Sequence, residues 1–455
     1  MFGLSKYSKP SLKLLTKAMP IDTTVTDEHK KRAETLQTAL NTYGFPGQIV
    51  DIRPGPMVTT YEFRPEMGVR ISDVVAAGTD IVRAVAARHI HITHIPGTDL
   101  LAIELDNNSQ QIIRAGNLIG DKEFEKSNHR MPLALGVLAD GRPAYFDLNK
   151  LPHLLIAGRT GTGKSVFMQS IIMSLVYRFT PEECRLIIVD SKGVDFGFWH
   201  DIPHLITNVI DNADGGIYAL KWAMREMHRR EDLFKEHGVR NIESYNETAA
   251  QPLPKIVVIV DELADLMALA KYDTEFTVNH LAQQARPMGI HLIIATQRPD
   301  DMVITDAISA NFASRISFRA RDTEESEMML GESGAEHLLP CGDMLFSEGG
   351  RVPVRIHPAF IADDEIMAVA DHLRKQGTPK YVPGVTECAL KEQSPEELYA
   401  QAVDCVTTAN KPTISYLQRQ LMIGYNKAAE LMERMEADGI VSAPDENGKR
   451  HLIEK

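Results

Sequence analysis

Four runs of apolar residues in the middle of the chain have the pattern of buried strands. They cover residues 153–157, 185–190, 256–261 and 291–296. Polar residues stand mainly at their ends, as in strands that are buried on both faces of a parallel sheet. A helical pattern of apolar residues follows the first run, over residues 166–177. This alternation from residue 150 to about 375 predicts an α/β domain.

Shorter patterns before residue 150 predict a small α+β domain. Residues 27–40 have a helical pattern, and strand-like runs follow at 48–52, 58–63 and 89–95. The tripeptide Pro54-Gly55-Pro56 joins the first two of these runs with a strong turn signal. The lysine-containing residues that precede this domain have no apolar core of a signal peptide, and we expect them to form a flexible leader.

The end of the chain predicts a small DNA-binding type of domain. Helical patterns at 414–420 and 426–438 have the spacing of a helix–turn–helix. Short apolar runs around Asn447 and Gly448 then predict a hairpin that would form a wing. A helical protein-docking domain is the alternative for this unit.

Together these patterns divide the chain into five segments. They are a flexible leader or linker (1–30), an α+β domain (31–149), an α/β domain (150–375), a turn-rich linker (376–395) and a winged-helix domain (396–455).

The composition narrows the class of protein without indicating an activity. The 455 residues are 44% hydrophobic and 24% charged, which is typical of a globular protein. A net charge of −13 argues against a globally basic nucleic-acid-binding protein but is compatible with a local basic lining. The four cysteines form no C-x-x-C pair, and no apolar run approaches the roughly 18 residues that cross a bilayer. We therefore expect a protein of the reducing cytoplasm without a membrane segment.

The strongest chemical signal lies at residues 158–165. They read G-R-T-G-T-G-K-S, which fits the phosphate-binding motif G-x-x-x-x-G-K-[ST] between a strand and a helix. In such a loop, backbone N–H groups bind phosphate oxygens, Lys164 neutralises the β- and γ-phosphates and the Ser165 hydroxyl binds Mg²⁺. The predicted ATP-binding residues are Gly158, Arg159, Thr160, Gly161, Thr162, Gly163, Lys164 and Ser165.

Polar residues at the ends of two later strand-like runs complete a predicted ATPase site. Asp261 suits the Mg²⁺ shell, and Glu262 suits the general base that activates the attacking water. Gln297 follows the run at 291–296 and is placed to sense the γ-phosphate. Helix capping is the alternative for the acidic pair, and a simple loop cap is the alternative for Gln297.

Two arginines are candidates for a finger that a neighbouring subunit donates to the bound ATP. They are Arg286 and Arg315. Such donation stabilises the charge of phosphoryl transfer and requires a ring of subunits. A surface ion pair is the alternative for both.

Seven short motifs carry a resemblance to a known family. They are Pro54-Gly55-Pro56 and residues 151–165, 202–205, 238–241, 261–267, 289–299 and 342–345. In this order they resemble the FtsK/SpoIIIE family of double-stranded DNA translocases, from about residue 36 to the C-terminus. The resemblance implies the α, β and γ domains of that family. The expected fold class is thus α/β, with a RecA-like P-loop ATPase core, a small N-terminal α+β domain and a C-terminal winged-helix domain.

The resemblance also implies partners and a cellular role. It implies a homo-hexameric ring that encircles duplex DNA, is driven by ATP with Mg²⁺ and uses Arg315 as its finger. The implied DNA-contacting residues are Arg240, Asn241, Tyr245, Ser309, Asn426 and Lys427. In the family the γ domain also contacts a tyrosine recombinase, and the role is chromosome segregation and dimer resolution at cell division. Family members are tethered to the inner membrane at the septum by helices and a long linker. This chain contains neither, so we expect an excised motor or a naturally soluble relative.

Acidic residues depart from the family pattern in two places. Asp300, Asp301 and Asp306 lie near Ser309, where relatives often carry a lysine, and this should weaken phosphate contacts. Glu430 stands in the winged-helix domain where relatives often have an arginine, the usual reader of guanine.

Three functions follow from these observations. The first is an ATP-driven translocase of double-stranded DNA. The second is a conjugative coupling protein or packaging-type motor, which would share the P-loop and the ring. The third is a weak ATPase that binds DNA and loads or activates a recombinase. It is favoured by the acidic residues near Ser309, in what the resemblance implies is a DNA-contacting loop of the ring's pore.

Overall fold

A four-stranded antiparallel sheet and three helices form the N-terminal domain. The computed structural model describes residues 7–151, 153–387, 395–409, 411–421, 425–444 and 450–453. The strands are β1 (Gly47–Pro54), β2 (Val58–Pro65), β3 (Ile90–His94) and β4 (Leu101–Asp106), and the helices are α1 (Asp27–Thr42), α2 (Ile71–Ala76) and α3 (Gly78–Ala84). The strand order is β1-β2-β4-β3. The patterns predicted β1 to β3 and missed β4, whose six residues are all buried.

A nine-stranded sheet forms the centre of the larger domain. Its strands are β5 (Pro132–Leu138), β6 (Pro143–Asp147), β7 (His153–Ala157), β8 (Cys184–Val189), β9 (Lys255–Val260), β10 (Ile290–Thr296), β11 (Ser314–Phe318), β12 (Met344–Glu348) and β13 (Val354–His357). The order across the sheet is β6-β5-β13-β12-β11-β7-β10-β9-β8. The five strands from β11 to β8 are parallel, and the other pairings are antiparallel. The four strands that the sequence predicted are β7 to β10, and they lie side by side.

Helices cover both faces of this sheet. They are α4 (Ala115–Ile119), α5 (Lys122–Glu125), α6 (Lys164–Arg178), α7 (Ala213–Glu236), α8 (Ile242–Thr248), α9 (Leu263–Gln284), α10 (Asp306–Asn311), α11 (Thr323–Leu330) and α12 (Asp363–Arg374). Side chains of α6 and α12 belong to one apolar core, and side chains of α7 and α9 belong to the other. β8, β9 and β10 contribute to both cores because successive side chains of a strand point to opposite faces.

β7 occupies the position in the sheet where strand order reverses. It pairs in parallel with β10 on one side and with β11 on the other. In open α/β sheets such a reversal leaves a crevice at the carboxyl ends of the strands, where ligands bind. The predicted phosphate-binding loop leaves β7 at this end of the sheet.

The boundary between the two domains differs from the prediction at residue 149. β5 and β6 precede that residue, yet they belong to the nine-stranded sheet. β5 pairs with β13, with Leu138 opposite Ile356. A partner that lies so far along the chain leaves no trace in the local pattern, so the sequence assigned both strands to the smaller domain.

The predicted flexible leader is instead packed against the larger domain from residue 7 onward. We call residues 7–25 the N-terminal segment. The Tyr177 hydroxyl of α6 donates to the backbone oxygen of Ser11 at 3.1 Å. The backbone N–H of Thr16 donates to the Glu365 carboxylate of α12 at 2.5 Å. These contacts are made by polar backbone groups, which periodicity in the sequence does not reveal.

Three helices and a strand bridge form the C-terminal winged-helix domain. The helices are α13 (Pro395–Ala409), α14 (Ile414–Leu421) and α15 (Tyr425–Ala437). Val441 and Leu452 form the antiparallel bridge that the predicted wing requires. The turn between α14 and α15 at 422–424, and the predicted turn at Asn447 and Gly448, lie outside the described residues. Among the described helices, none is long and apolar enough to cross a membrane.

Candidate nucleotide-binding site

Residues 158–163 form a glycine-rich loop between β7 and α6. Gly163 is the N-cap of α6 and has a φ of 102°, a left-handed conformation that favours glycine. A Cβ at this position would also lie 2.9 Å from the backbone of Gly342, so a side chain does not fit there. The loop thus places the N-terminus of a 15-residue helix, with its positive dipole end, at the crevice of the sheet.

Lys164 and Asp261 form a buried ion pair at the base of this loop. The Lys164 ammonium donates to the Asp261 carboxylate and to the Asp261 backbone oxygen, each at 2.7 Å. Their side chains are only 3% and 2% exposed. Burial raises the pKa of the Asp261 carboxyl, and the attraction of Lys164 offsets this rise only in part. The two residues that the sequence assigned to phosphate and to Mg²⁺ are therefore brought together.

Ser165, the predicted Mg²⁺ ligand, contacts an acid that the sequence analysis missed. Its hydroxyl donates to the Asp195 carboxylate at 2.8 Å. The Asp190 carboxylate at the end of β8 accepts from the backbone N–H groups of Asp195 and Phe196, at 2.9 and 3.0 Å. Asp195 lies in a loop six residues beyond the end of β8 at Val189, where no periodic pattern marks it. The sequence signal for this part of the site was Asp190, an acid that comes directly after an apolar run and whose carboxylate holds the backbone of Asp195.

Glu262 is held by donors from the end of the neighbouring strand. It is 3% exposed and accepts from the Thr296 hydroxyl at 2.6 Å and from the Gln297 backbone N–H at 3.0 Å. It also accepts from the Ala264 N–H at 3.2 Å, so the alternative of helix capping holds alongside its place at the site. These donors fix the Glu262 carboxylate beside Asp261 at the carboxyl end of β9.

Gln297 contacts the phosphate-binding loop directly. Its side-chain oxygen accepts from the Thr160 hydroxyl at 2.8 Å. This contact joins the end of β10 to the loop after β7, which a simple loop cap would not do. Gln297 therefore lies where a change at the loop would reach β10.

The loop forms one wall of a cleft of about 440 Å³. The cleft is lined by residues 159–161, 163–167, Asp195, Gln297, Cys341, Gly342 and 358–360. Gly342 is tied to the loop, because its N–H donates to the Thr162 backbone oxygen at 2.7 Å. No sequence pattern marked residues 358–360 as part of the cleft, since they follow β13 nearly 200 positions after the loop.

Three family models match the chain in the order of its domains. They are the FtsK alpha domain over residues 9–107, the FtsK/SpoIIIE family over 116–301 and the FtsK gamma domain over 393–454. The chain belongs to the FtsK/SpoIIIE family. The resemblance inferred from the seven motifs is confirmed. The first two matches meet between β4 and β5, at the boundary that the sheets define.

The relatives in this family are longer than the chain. DNA translocase FtsK of Rickettsia bellii is 42% identical over 468 residues, which cover 94% of this chain and 62% of the relative. DNA translocase FtsK of Caulobacter vibrioides is 40% identical over 492 residues, covering 98% of this chain and 60% of the relative. The chain thus spans about three-fifths of the length of these relatives.

Solved structures share the fold. The pCW3 conjugation coupling protein TcpA, in its monomer form with ATPγS, is 25% identical with a TM-score of 0.55, covering 76% of this chain and all of TcpA. The cytoplasmic domain of the Thermomonospora curvata Type VII secretion ATPase EccC is 20% identical with a TM-score of 0.52, covering 62% of this chain and 36% of EccC. The predicted fold class, with its P-loop ATPase core, is confirmed.

The two candidate arginine fingers lie outside the cleft of their own chain. Arg315 is half-buried at the start of β11, and its guanidinium donates to the backbone oxygen of Phe312 at 2.8 Å and to the side chain of Ser309 at 2.9 Å. Burial lowers the pKa of this guanidinium. Arg286 is exposed and donates to the backbone oxygen of Asn149 at 3.2 Å.

Three of the residues that the resemblance assigns to DNA contact lie close together at residues 240–245. One is an exposed cation, and the other two make local contacts. Arg240 is exposed just before α8. Asn241 caps α8, since its side chain accepts from the Ser244 N–H at 2.8 Å. Tyr245 is half-buried, with its ring centroid 5.2 Å from that of Phe234.

The remaining assigned residues lie in two helices. Ser309 lies in α10, where it accepts from Arg315. Asn426 and Lys427 lie in the first turn of α15, and Lys427 is exposed. The structure therefore presents Arg240 and Lys427 to solvent, while it uses Asn241, Tyr245 and Ser309 in local contacts.

Proposed function

We propose that this chain is the motor of an ATP-driven translocase of double-stranded DNA. The observation that carries the proposal is the buried ion pair between Asp261 and Lys164, a residue that lines the P-loop cleft, with Glu262 fixed beside Asp261 at the carboxyl end of β9. That cleft belongs to a chain in which the alpha, motor and gamma family models match in order. The similarity to relatives named DNA translocase FtsK supports the substrate class.

ATP is the proposed nucleotide, and the cleft suits its phosphates. The loop offers backbone N–H groups and a helix N-terminus, and TcpA, which shares the fold, was solved with ATPγS. Lys164 is placed to exchange its contact with Asp261 for the phosphate oxygens. This exchange would leave the Asp261 carboxylate available for a cation.

Mg²⁺ is the proposed metal, and the donor atoms present fit it. The Ser165 hydroxyl and the carboxylates of Asp195 and Asp261 are oxygen donors at the base of the loop, the type of ligand that Mg²⁺ prefers. When bound, Mg²⁺ would neutralise charge on the phosphates. Mg²⁺ usually combines few protein ligands with water and phosphate oxygens, so a larger cage of acids is not required.

Glu262 is the proposed general base, and Gln297 the proposed sensor. Thr296 and the Gln297 N–H fix the Glu262 carboxylate, so it is oriented before the attacking water arrives. Gln297 contacts the loop through Thr160, and the chain beyond it leads through residues 298–305 into α10. A change at the γ-phosphate would therefore reach the segment that carries Ser309.

The assembly and partners of the chain are also proposals. We propose a homo-hexamer in which Arg315 acts on the cleft of a neighbouring subunit, after exchanging its contacts with Phe312 and Ser309. Arg240 and Lys427, both exposed, would contact DNA, and the winged-helix domain would bind a tyrosine recombinase. The cytoplasm, which holds both the chromosome and ATP, is the proposed location.

The deciding experiment measures steady-state ATP hydrolysis at a fixed, stated salt concentration. It compares no DNA, single-stranded DNA and long linear duplex, with Glu262→Gln as the inactive control. Strong stimulation by duplex alone supports the translocase and leads to a triplex-displacement assay. No stimulation by either DNA contradicts it and favours the weak ATPase that loads a recombinase.

A conjugative coupling-type motor is the second candidate. It is favoured by the similarity to TcpA, which extends over the whole of that protein. Stimulation by single strands that equals or exceeds stimulation by duplex would select it over the translocase.

A further inference from the structure

Arg355 of β13 joins the two domains inside the protein. Its guanidinium donates to the Glu104 carboxylate of β4 at 2.8 Å and to the Asp343 carboxylate at 2.5 Å. Arg355 is 5% exposed, Glu104 7% and Asp343 1%. A chain of three buried charges therefore runs from the sheet of the N-terminal domain into the sheet of the motor.

Stability alone does not account for this arrangement. The free energy lost when charges are withdrawn from water is about as large as the attraction gained in a buried ion pair. Apolar residues of similar size in the same place often give a protein of equal stability. Burial would raise the pKa of the Asp343 carboxyl, but Arg355 and His357 outweigh it and hold that pKa far below its usual range. The charges thus persist in the interior, at the contact between the two domains.

Asp343 adjoins the wall of the nucleotide cleft. Cys341 and Gly342 line that cleft, and both have left-handed backbone conformations, with φ of 66° and 95°. From the interior, the Asp343 carboxylate accepts from the backbone N–H of Leu339 at 2.8 Å. On the other side, the Gly342 N–H donates to Thr162 of the phosphate-binding loop. The wall segment is therefore held between the loop and the buried charges.

We infer that Glu104 of the N-terminal domain is a positioning residue for the nucleotide site of the motor. It acts through Arg355 and Asp343 on the wall at Cys341 and Gly342. The inference rests on the proposed function, because it assumes that the cleft binds ATP. It follows that nucleotide affinity depends on how the N-terminal domain sits on the motor, and that nucleotide binding biases that placement in return.

Glu104→Gln is the informative variant, and Glu62→Gln is its matched control. The glutamine keeps an oxygen acceptor for Arg355 but loses the charge, while Arg355 keeps Asp343 as a partner and is not left unpaired. Glu62 is also a buried glutamate of the same sheet, 6% exposed on the adjacent β2, but its partner is the exposed Arg53 of its own domain, at 2.8 Å. The two variants thus remove the same charge from the same sheet.

The affinity of the full chain for a fluorescent ATP analogue is measured by titration. For the same variants, KM and kcat for ATP hydrolysis and the midpoint of thermal unfolding are also measured. Glu104→Gln is expected to weaken analogue binding and raise KM by about fivefold or more, a typical size for coupling between sites. Glu62→Gln should leave both values within about twofold of wild type, because the partner of Glu62 is Arg53 of the same domain and the pair does not reach the cleft. Equal affinities for Glu104→Gln and wild type, or an equal loss in Glu62→Gln, would overturn the inference. If wild type itself neither binds the analogue nor hydrolyses ATP, the proposed function fails as well.

Discussion

Replacing Lys164 by alanine should destabilise the motor as well as abolish ATP hydrolysis. Lys164 is the ion-pair partner of Asp261 at 2.7 Å, and both side chains are almost fully buried. Removing one member of such a pair leaves an uncompensated charge and costs about 3–5 kcal/mol. For a domain of this size that corresponds to a fall of roughly 10 °C in the melting temperature.

Tryptophan fluorescence provides a selective assay for this loss. The chain has two tryptophans, Trp199 and Trp222, and both lie in the motor. Their emission therefore follows the motor's own transition in a chain whose domains need not unfold together. Unfolding is measured without nucleotide, so that ligand binding does not add to the stability.

Two further variants test the cause of the loss. In Lys164→Ala/Asp261→Asn the buried charge is absent, so the double variant should recover about 2 kcal/mol relative to Lys164→Ala although it remains inactive. Lys221→Ala is the control. Lys221 pairs with Asp273 at 2.6 Å, and the two side chains are 23% and 40% exposed. The free energy of unfolding of this variant should fall by less than about 1 kcal/mol. The reasoning is refuted if Lys164→Ala loses no more stability than Lys221→Ala, or if Asp261→Asn restores none of it.

Three other changes have defined outcomes. Glu262→Gln should lower steady-state hydrolysis about 100-fold or more while a fluorescent ATP analogue still binds; Thr296→Val, which removes one donor to Glu262, should have a smaller effect on the same rate. Burial lowers the pKa of His204 from 6.5 to about 4, so the unfolded chain takes up the proton first and stability falls as the pH drops from 6.5 to 4. In urea titrations over this range His204→Gln should flatten the slope by up to about 1.4 kcal/mol per pH unit, and an unchanged slope would contradict the role given to His204. Arg240→Ala should reduce the dependence of log Kd for duplex on log salt by about one, and an unchanged slope would place Arg240 away from the phosphates.

The strands that the sequence predicted in the nine-stranded sheet share one physical property. β8, β9 and β10 are buried on both faces, so almost every residue is apolar and the run is visible without knowledge of its neighbours. β11 and β13 were missed because they contain Arg315 and Arg355, which read as polar in sequence. Arg355 is buried because two carboxylates neutralise it: Asp343, 12 positions before it, and Glu104, 251 positions before it in the other domain.

The residues of the site were also predictable only where a local pattern marks them. Lys164 belongs to a loop motif of fixed spacing, and Asp261 and Glu262 come directly after an apolar run. Asp195 and the wall at 358–360 were not, since they reach the cleft from loops whose course only the folded sheet determines. Asn241 and Tyr245, which were transferred from a family motif, also have local roles in capping and packing that the motif alone does not reveal.

The N-terminal segment has a consequence for the synthesis of the chain. Thr16 is hydrogen-bonded to Glu365, 349 positions later, and β5, which pairs with β6 on one side, must wait for β13 to pair on the other. At about 5–20 residues per second, a ribosome needs roughly 20–70 s to make the chain between Thr16 and Glu365, and roughly 10–45 s to make the chain between β5 and β13. Throughout the second interval β5 presents one unpaired edge, the kind of surface on which chains aggregate. The nascent motor should therefore depend on chaperones until its last strand emerges, whereas β1 to β4 can pair as soon as Asp106 has left the ribosome.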